Sequence, residues 1–362
     1  MRYTEIPAAY VRGGTSRAVL FRLSDLPTDK SQWAPIFRSV LGSPDTSGRQ
    51  LDGFGGGISS LSKVAVVGPS ARDGFDVDYH FFQIEPRSGN VQTDATCGNI
   101  VSSVGPFAIE NGWAEEVEGV SKVRIFDVNS QKAIVSSFDD ANLTSIDGVP
   151  GQAPEIRLTF ENPGGAVSKG LFPTGLLAET LHVESVGPIE VTLIDATLPT
   201  VVVSAASLGL RGDETPSELS DPRMIALSEK IRVAAGLKMG LTESCEVLHN
   251  ELSNMPDVVV VSPTPGLNSI QARFFSGGGA HRASPVTSSI ALACSCQLQG
   301  TVSSTIASGQ RPHDGVWEIK HPAGSMYVTV TPTADNESIG SATVTRTTRV
   351  VMVGNVRLPA GM

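Results

Sequence analysis

Short alternating runs of apolar and polar residues dominate the chain, and they read as strands. Ala8–Phe21 contains VRGGTSRAVLF, an apolar run interrupted by two glycines, which predicts strand, turn, strand. Lys63–Val67, Val77–Gln83, Val123–Asn129 and Ala133–Phe138 alternate or run apolar in the same way. Helical periodicity is rarer. Trp33–Leu41 predicts a short helix ahead of a polar turn at Asp45–Asp52. Pro222–Gly236 is the best amphipathic pattern, with Met224, Leu227, Ile231 and Ala234 or Ala235 on one face and Gly236 as its stop. Gly212–Asp221 has the least pattern of any stretch.

Two apolar stretches of small residues stand apart. Cys97 follows the polar run Gly89–Thr96 and opens the first, which continues to Ile109. A helix there places the thiol at its N-terminus, where unpaired N–H groups and the dipole favour an anion. Such a position lowers a thiol pKa and also suits a carboxylate. The second stretch, Pro285–Cys296, follows the glycine-bearing turn Ser276–Arg282. Val101–Val104 (VSSV) in the first is echoed by Thr287–Ile290 (TSSI) in the second. The echo is either coincidence or a duplicated domain whose helix starts serve one ligand. On the second reading Ala283 stands at the place of Cys97, so the second half has no matching thiol.

Composition bounds the function. The 362 residues suffice for two ordinary domains, and 37 glycines with 23 prolines favour many turns and short strands. A net charge of −10 argues against nucleic acid and anionic membrane surfaces as partners, and it repels an anionic substrate, so a carboxylate site must be built locally. The four cysteines, Cys97, Cys245, Cys294 and Cys296, show neither disulfide nor zinc spacing, and no metal site is expected. No signal-peptide core opens the chain and no apolar run reaches bilayer length, so the expectation is a soluble cytoplasmic protein with reduced thiols.

Leu51–Lys63 (LDGFGGGISSLSK) concentrates glycines, serines and a lysine before a strand. It matches neither GxxxxGK[ST] nor GxGxxG. Gly55, Gly56 and Gly57 with Ser60 are therefore either a surface turn or a backbone cradle for a carboxylate. Lys63 is either a snorkelling surface charge or a partly buried base. Near pH 7.4 only about one ordinary lysine in a thousand is neutral, a handicap of roughly 4 kcal/mol. Desolvation must reduce that handicap, so a catalytic Lys63 needs an apolar wall. Arg12, Thr15 and Ser16 in the first turn, and His281 with Arg282 before the second helix, are further candidate carboxylate contacts. No GxSxG motif or local papain-like signature occurs.

The order of these segments is similar to one family. Val11–Ser16 (VRGGTS), Asp52–Gly56 (DGFGG), Ser62-Lys63, Asp76–Tyr79 (DVDY), Cys97-Gly98-Asn99, Gly105–Ala108 (GPFA), Pro173–Gly175, His281-Arg282 with Val286-Thr287, and His321–Gly324 (HPAG) resemble, over nearly the whole chain, the PrpF family of methylaconitate isomerases and its oxalomesaconate, aconitate and methylitaconate isomerase relatives. The resemblance implies an α/β diaminopimelate-epimerase-like fold: two pseudo-symmetric domains, each a barrel-like sheet around a central helix, with the active site between them. It implies cofactor-independent proton transfer, and it pairs the lysine at Lys63 with the cysteine at Cys97. Arg17, Thr96 and Ser288 depart from residues common in the family and bear on which substrate is accepted.

The expected domains are 1–184, carrying Lys63 and Cys97, and 185–362. The expected function is an allylic isomerase or tautomerase of a small unsaturated di- or tricarboxylate. Lys63 and Cys97 are the catalytic pair, and Arg12, Thr15, Ser16, Gly55, Gly56, Gly57, Ser60, Gly98, Asn99, His281 and Arg282 bind the substrate. No cofactor is expected, and a homodimer is compatible with the sequence. The alternatives are an amino- or hydroxy-acid racemase of the same fold, and a non-catalytic carboxylate-binding accessory protein.

Overall fold

The computed structural model describes residues 3–117, 119–307 and 312–359. Two compact units share the chain. One holds the residues up to Leu158 and those from Arg346 onward; the other is Thr159–Thr345. The single boundary expected at 184/185 is thus corrected. Strands just before and after it belong wholly to the second unit, and the C-terminal strand returns to pair with the first strand of the chain. A linear cut cannot express that return.

In the first unit β1 (Tyr3–Gly13) and β2 (Ser16–Arg22) form the predicted hairpin, with Gly13 opposite Ser16. A crossover carrying helix α1 (Trp33–Leu41) then leads to β3 (Lys63–Pro69), which lies parallel to β2 with Lys63 opposite Ala18. α1 forms where Trp33, Ile36, Phe37, Val40 and Leu41 share a buried face, and Gly42 ends it in the left-handed region at φ 73°. Strand β4 (Val77–Ile84) runs antiparallel to β3, and the short β5 (Val91–Gln92) pairs with it. A second crossover holds helices α2 (Gly98–Val101) and α3 (Val104–Glu110) and then the short β6 (Glu116–Val117). It returns to β7 (Val120–Asp127), parallel to β4, and β8 (Lys132–Thr144) pairs antiparallel with β7.

The helix expected from Cys97 to Ile109 is therefore broken in two. Pro106 explains the break. It has no N–H for the Ser102 carbonyl and its ring would collide with that carbonyl, so it is tolerated only in the first turn of a new helix. Ile100, Val101, Val104 and Ala108 still bury completely at the centre of the unit.

After β9 (Ala153–Glu161) the second unit repeats the order. It opens with β10 (Glu179–Val183) and β11 (Gly187–Asp195), and β12 (Pro199–Ser204) pairs antiparallel with β11. Helices α4 (Pro216–Leu219), α5 (Pro222–Lys238) and α6 (Cys245–Asn250) then fill the crossover to a parallel β13 (Asp257–Ser262). Next come antiparallel β14 (Ser269–Ser276), the two-residue β15 (Gly279–Ala280), and α7 (Val286–Gln297) with α8 (Val302–Ile306). β16 (Val316–His321) lies parallel to β14 and pairs with β17 (Gly324–Pro332). Each unit thus has the sequence antiparallel, parallel, antiparallel, parallel, antiparallel, with helices in both parallel crossovers. The VSSV/TSSI echo marks an internal repeat. The long strand β18 (Ile339–Pro359) pairs through Val344 with β17 and from Thr348 onward with β1.

Two smaller expectations change. Gly236 lies inside α5, because a side chain there would run into Leu248 of α6. Gly212–Asp221 contains α4, which a Thr215–Glu218 capping box holds in place. Among the described residues no helix is long and apolar enough to cross a membrane.

Candidate active site

Strands β3 and β4 put Lys63 and Gln83 opposite each other at the mouth of the first unit's sheet. Lys63 is 8% exposed, so the snorkelling alternative does not describe it. Its Nζ lies 2.5 Å from Gln83 Oε1 and 5.1 Å from the centroid of Phe81. The Gln83 amide is fixed from its other end, since its Nε2 donates to the carbonyls of Ser59 and Ser62 at 3.1 and 2.9 Å. Its oxygen must therefore face the amine. A neutral acceptor orients an amine without stabilising its charge as a carboxylate would.

Period-two alternation carries the same face of β4 from Gln83 through Phe81 to Tyr79. Tyr79 and Phe81 lie with ring centroids 6.5 Å apart. The Tyr79 hydroxyl is buried beside the Cys97 backbone N–H and the Thr96 hydroxyl, and burial with Cys97 and Asp127 nearby raises its pKa well above the ordinary range. Among the described residues, neither Tyr79 Oη nor Thr96 Oγ1 closes an aligned hydrogen bond. Asp127 ends β7 on an inward position, fully buried. Its carboxylate accepts from Ser130 Oγ at 2.5 Å and from the Asn129 N–H at 3.2 Å. Burial nevertheless pushes its pKa up to about 6. Asn129 also clamps Phe81, bonding both its N–H and its carbonyl at 2.8 Å.

Cys97 occupies the N-cap position of α2 and is half-buried. The four residues of α2 sum few peptide dipoles, so the field expected from a long helix is not available. The first N–H groups, at Gly98 and Asn99, still have no partner within the helix.

The β1–β2 turn packs on this helix start. The Thr15 N–H donates to Asn99 Oδ1 at 3.4 Å, and Asn99 Nδ2 donates to Thr15 Oγ1 at 3.2 Å. Ser16 is buried alongside. Arg12 braces the backbone. Its Nη1 donates to the carbonyls of Gly14 and Thr347 and to the Thr347 hydroxyl, which ties the hairpin to β18. Burial and the nearby Arg349 lower its pKa.

The glycine loop differs from expectation. The Gly55 N–H donates to the Leu41 carbonyl at 3.2 Å, and the Gly57 N–H donates to Gln50 Oε1 at 2.9 Å. Those two groups hold the loop together and do not serve as ligand donors. Gly56 sits beside Arg17 and Leu61, and Ser60 is half-buried in the turn Ser59–Leu61. In the second unit, the His281 N–H donates to the Phe274 carbonyl at 2.9 Å. Arg282 is exposed. Both precede α7, whose residues are all buried.

Sequence reasoning missed Gln83, Asp127 and Arg346. Each is a polar residue on the inward parity of a strand, after Tyr79 and Phe81, after Val123 and Ile125, and after Ala342 and Val344. That misplaced polarity was the available signal.

Two α/β units of like strand order, the first holding the buried Lys63 and the Cys97-started helix, set the class of fold. The family model described as PrpF protein matches residues 3–359. YbhH of Escherichia coli (strain K12), named as an isomerase, is 36% identical over 98% of this chain and 99% of its own. The 2-methyl-aconitate isomerase of Shewanella oneidensis is 31% identical over 98% and 97%. The crystal structure of methylitaconate-delta-isomerase superposes with a TM-score of 0.80 at 27% identity, covering 99% of this chain and 96% of that one. The chain belongs to the PrpF family.

Proposed function

We propose that this protein is a cofactor-independent allylic isomerase of a small unsaturated di- or tricarboxylate of the aconitate, methylaconitate or oxalomesaconate type. The observation that carries the reading is Lys63: a buried amine over an aromatic face, held by a neutral amide oxygen. Relatives named 2-methyl-aconitate isomerase and 4-oxalomesaconate tautomerase support the substrate class.

In the reaction the neutral amine of Lys63 takes a proton from a carbon allylic to the double bond and activated by a carboxylate or carbonyl. The C–H electron pair enters the conjugated system, and negative charge gathers on the carboxylate or carbonyl oxygen. The N–H groups of Gly98 and Asn99 are the donors for that oxygen. Return of the proton to the far allylic carbon shifts the double bond. Lys63 is the principal base. Cys97 orients the substrate at the start of α2, with Thr15, Ser16 and Gly56 lining the same unit. Arg12 acts by holding the turn. Ser60 is a further carboxylate contact in the same unit.

Proton NMR in deuterated water tests the reading with cis- and trans-aconitate, 2-methylaconitate, methylitaconate and oxalomesaconate. The wild type exchanges and isomerises at least one of them, and Lys63→Met does neither. Exchange at the wild-type rate in Lys63→Met would overturn the base assignment.

A further inference from the structure

Among the described residues of the first unit, Arg346 is a buried charge with side-chain nitrogens left unsatisfied. It is 4% exposed, on an inward position of β18 between Val344 and the Gly14-bonded Thr347. Its Nε and Nη2 are buried and have no hydrogen-bond partner among the described residues. Burial alone lowers its pKa, to about 10, and no carboxylate contributes. A buried cation without a counter-charge is strongly unfavourable, and natural proteins keep one where an anion arrives to complete it.

Its surroundings say where that anion sits. The Arg346 side chain passes the Gly14 backbone, where an added Cβ would lie 3.2 Å from Arg346 Cδ and 2.0 Å from Asn99 Oδ1. Gly14 has φ 51° and no side chain, so it leaves room for both. The unsatisfied guanidinium therefore belongs to the same cluster as Asn99, Thr15 and the start of α2, two residues beyond Cys97.

We propose that Arg346 is the anchor for one carboxylate of the ligand, received in fork geometry through Nε and Nη2 beside Asn99. This inference rests on the carboxylate reading of the site. It assigns to Arg346 the role that Arg12, tied to Gly14 and Thr347, is not placed to fill alone.

The test uses tricarballylate, a saturated tricarboxylate with no double bond to shift, so that binding is read apart from turnover. By calorimetry on the full-length protein, Arg346→Gln weakens tricarballylate binding by about 10–100-fold, the worth of a charge-assisted bidentate pair. Arg346→Lys recovers part of the loss, since it restores charge without the fork. Arg349→Gln, at an exposed position of the same strand, changes binding by less than about twofold. Removing an unpaired buried charge also leaves the ligand-free Arg346→Gln protein at least as heat-stable as wild type, and it abolishes the tricarballylate-induced rise in Tm. Unchanged affinity in a folded Arg346→Gln protein, or a fall of several degrees in its ligand-free Tm, overturns the proposal. Wild-type protein that binds tricarballylate through Arg346 but turns over none of the unsaturated acids would sink the isomerase reading and leave this one standing. Wild-type protein that does not bind tricarballylate sinks the anchor. The base assignment is then still judged by exchange in Lys63→Met.

Discussion

Lys63 donates to Gln83, its direct cross-strand neighbour, at 2.5 Å, and Gln83 cannot turn away because two backbone carbonyls hold its other end. A neutral amide at this place is a chemical choice. Gln83→Glu keeps the shape and adds a negative charge beside the amine. A carboxylate at that distance favours the ammonium form by roughly 1–3 pK units. The variant is expected to lose about 10–1,000-fold in kcat/KM at neutral pH, with the loss shrinking as pH rises and the lysine deprotonates. A pH–rate profile checks this. An unshifted ascending, acid-side limb in Gln83→Glu would remove Gln83 from the control of Lys63.

Cys97 has a different set of neighbours. Its backbone lies at Tyr79 and its residue begins a four-residue helix, so its position depends on packing more than on a helix field. Cys97→Ser keeps a small polar group at the cap. It is expected to reduce kcat/KM by about tenfold, well short of the roughly 100–10,000-fold that removal of a general base such as Lys63 produces. Steady-state kinetics on the two variants with one substrate decides the matter, and equal losses would make the thiol an acid–base partner.

Much of this was legible in the chain. The hairpin at Val11–Ser16, the strand starting at Lys63 and the repeated small-residue helices all follow from local pattern. Strand alternation is set by neighbours two residues apart, which a sequence displays directly. What was hidden depends on long-range pairing. The return of β18 to β1 moves Arg346 from the end of the chain to the first turn, and no local signal encodes that. The broken helix was legible in principle, because Pro106 stood inside the predicted run. The Gly55 and Gly57 N–H groups were unreadable for another reason: their partners, Leu41 and Gln50, lie in a preceding helix and turn whose approach only the fold reveals.

Gly14 gives a backbone test of the turn. Its φ of 51° disfavours any side chain, and a Cβ would meet Asn99 Oδ1 at 2.0 Å. Gly14→Ala should therefore destabilise the protein by about 1–3 kcal/mol and displace Asn99 from Thr15. The effect on catalysis should be a raised KM and a lowered kcat together, because Asn99 supplies one of the proposed N–H donors. Thermal melts and kinetics read both. A variant with wild-type KM and kcat would show that Asn99 need not stay where the turn holds it.

Asp127 offers the clearest dependence on pH. It is fully buried behind Thr96 and Tyr79, and its folded-state pKa is raised from 3.8 to about 6. A carboxyl group with a raised folded pKa binds its proton more tightly in the native state than in the unfolded one. Its stabilising contribution is therefore complete below about pH 4 and is lost as pH rises through 6. The linkage amounts to on the order of 3 kcal/mol across that window. Asp127→Asn keeps the shape, can still accept from Asn129 and share a hydrogen bond with Ser130, and does not ionise. The stability of the wild type relative to Asp127→Asn should fall between about pH 4 and pH 6.5 and stay constant at higher pH. Urea unfolding of both proteins at a series of pH values measures that difference directly, since other titrating groups cancel between them. A difference that does not change with pH would mean that Asp127 ionises in the folded protein as readily as in the unfolded chain.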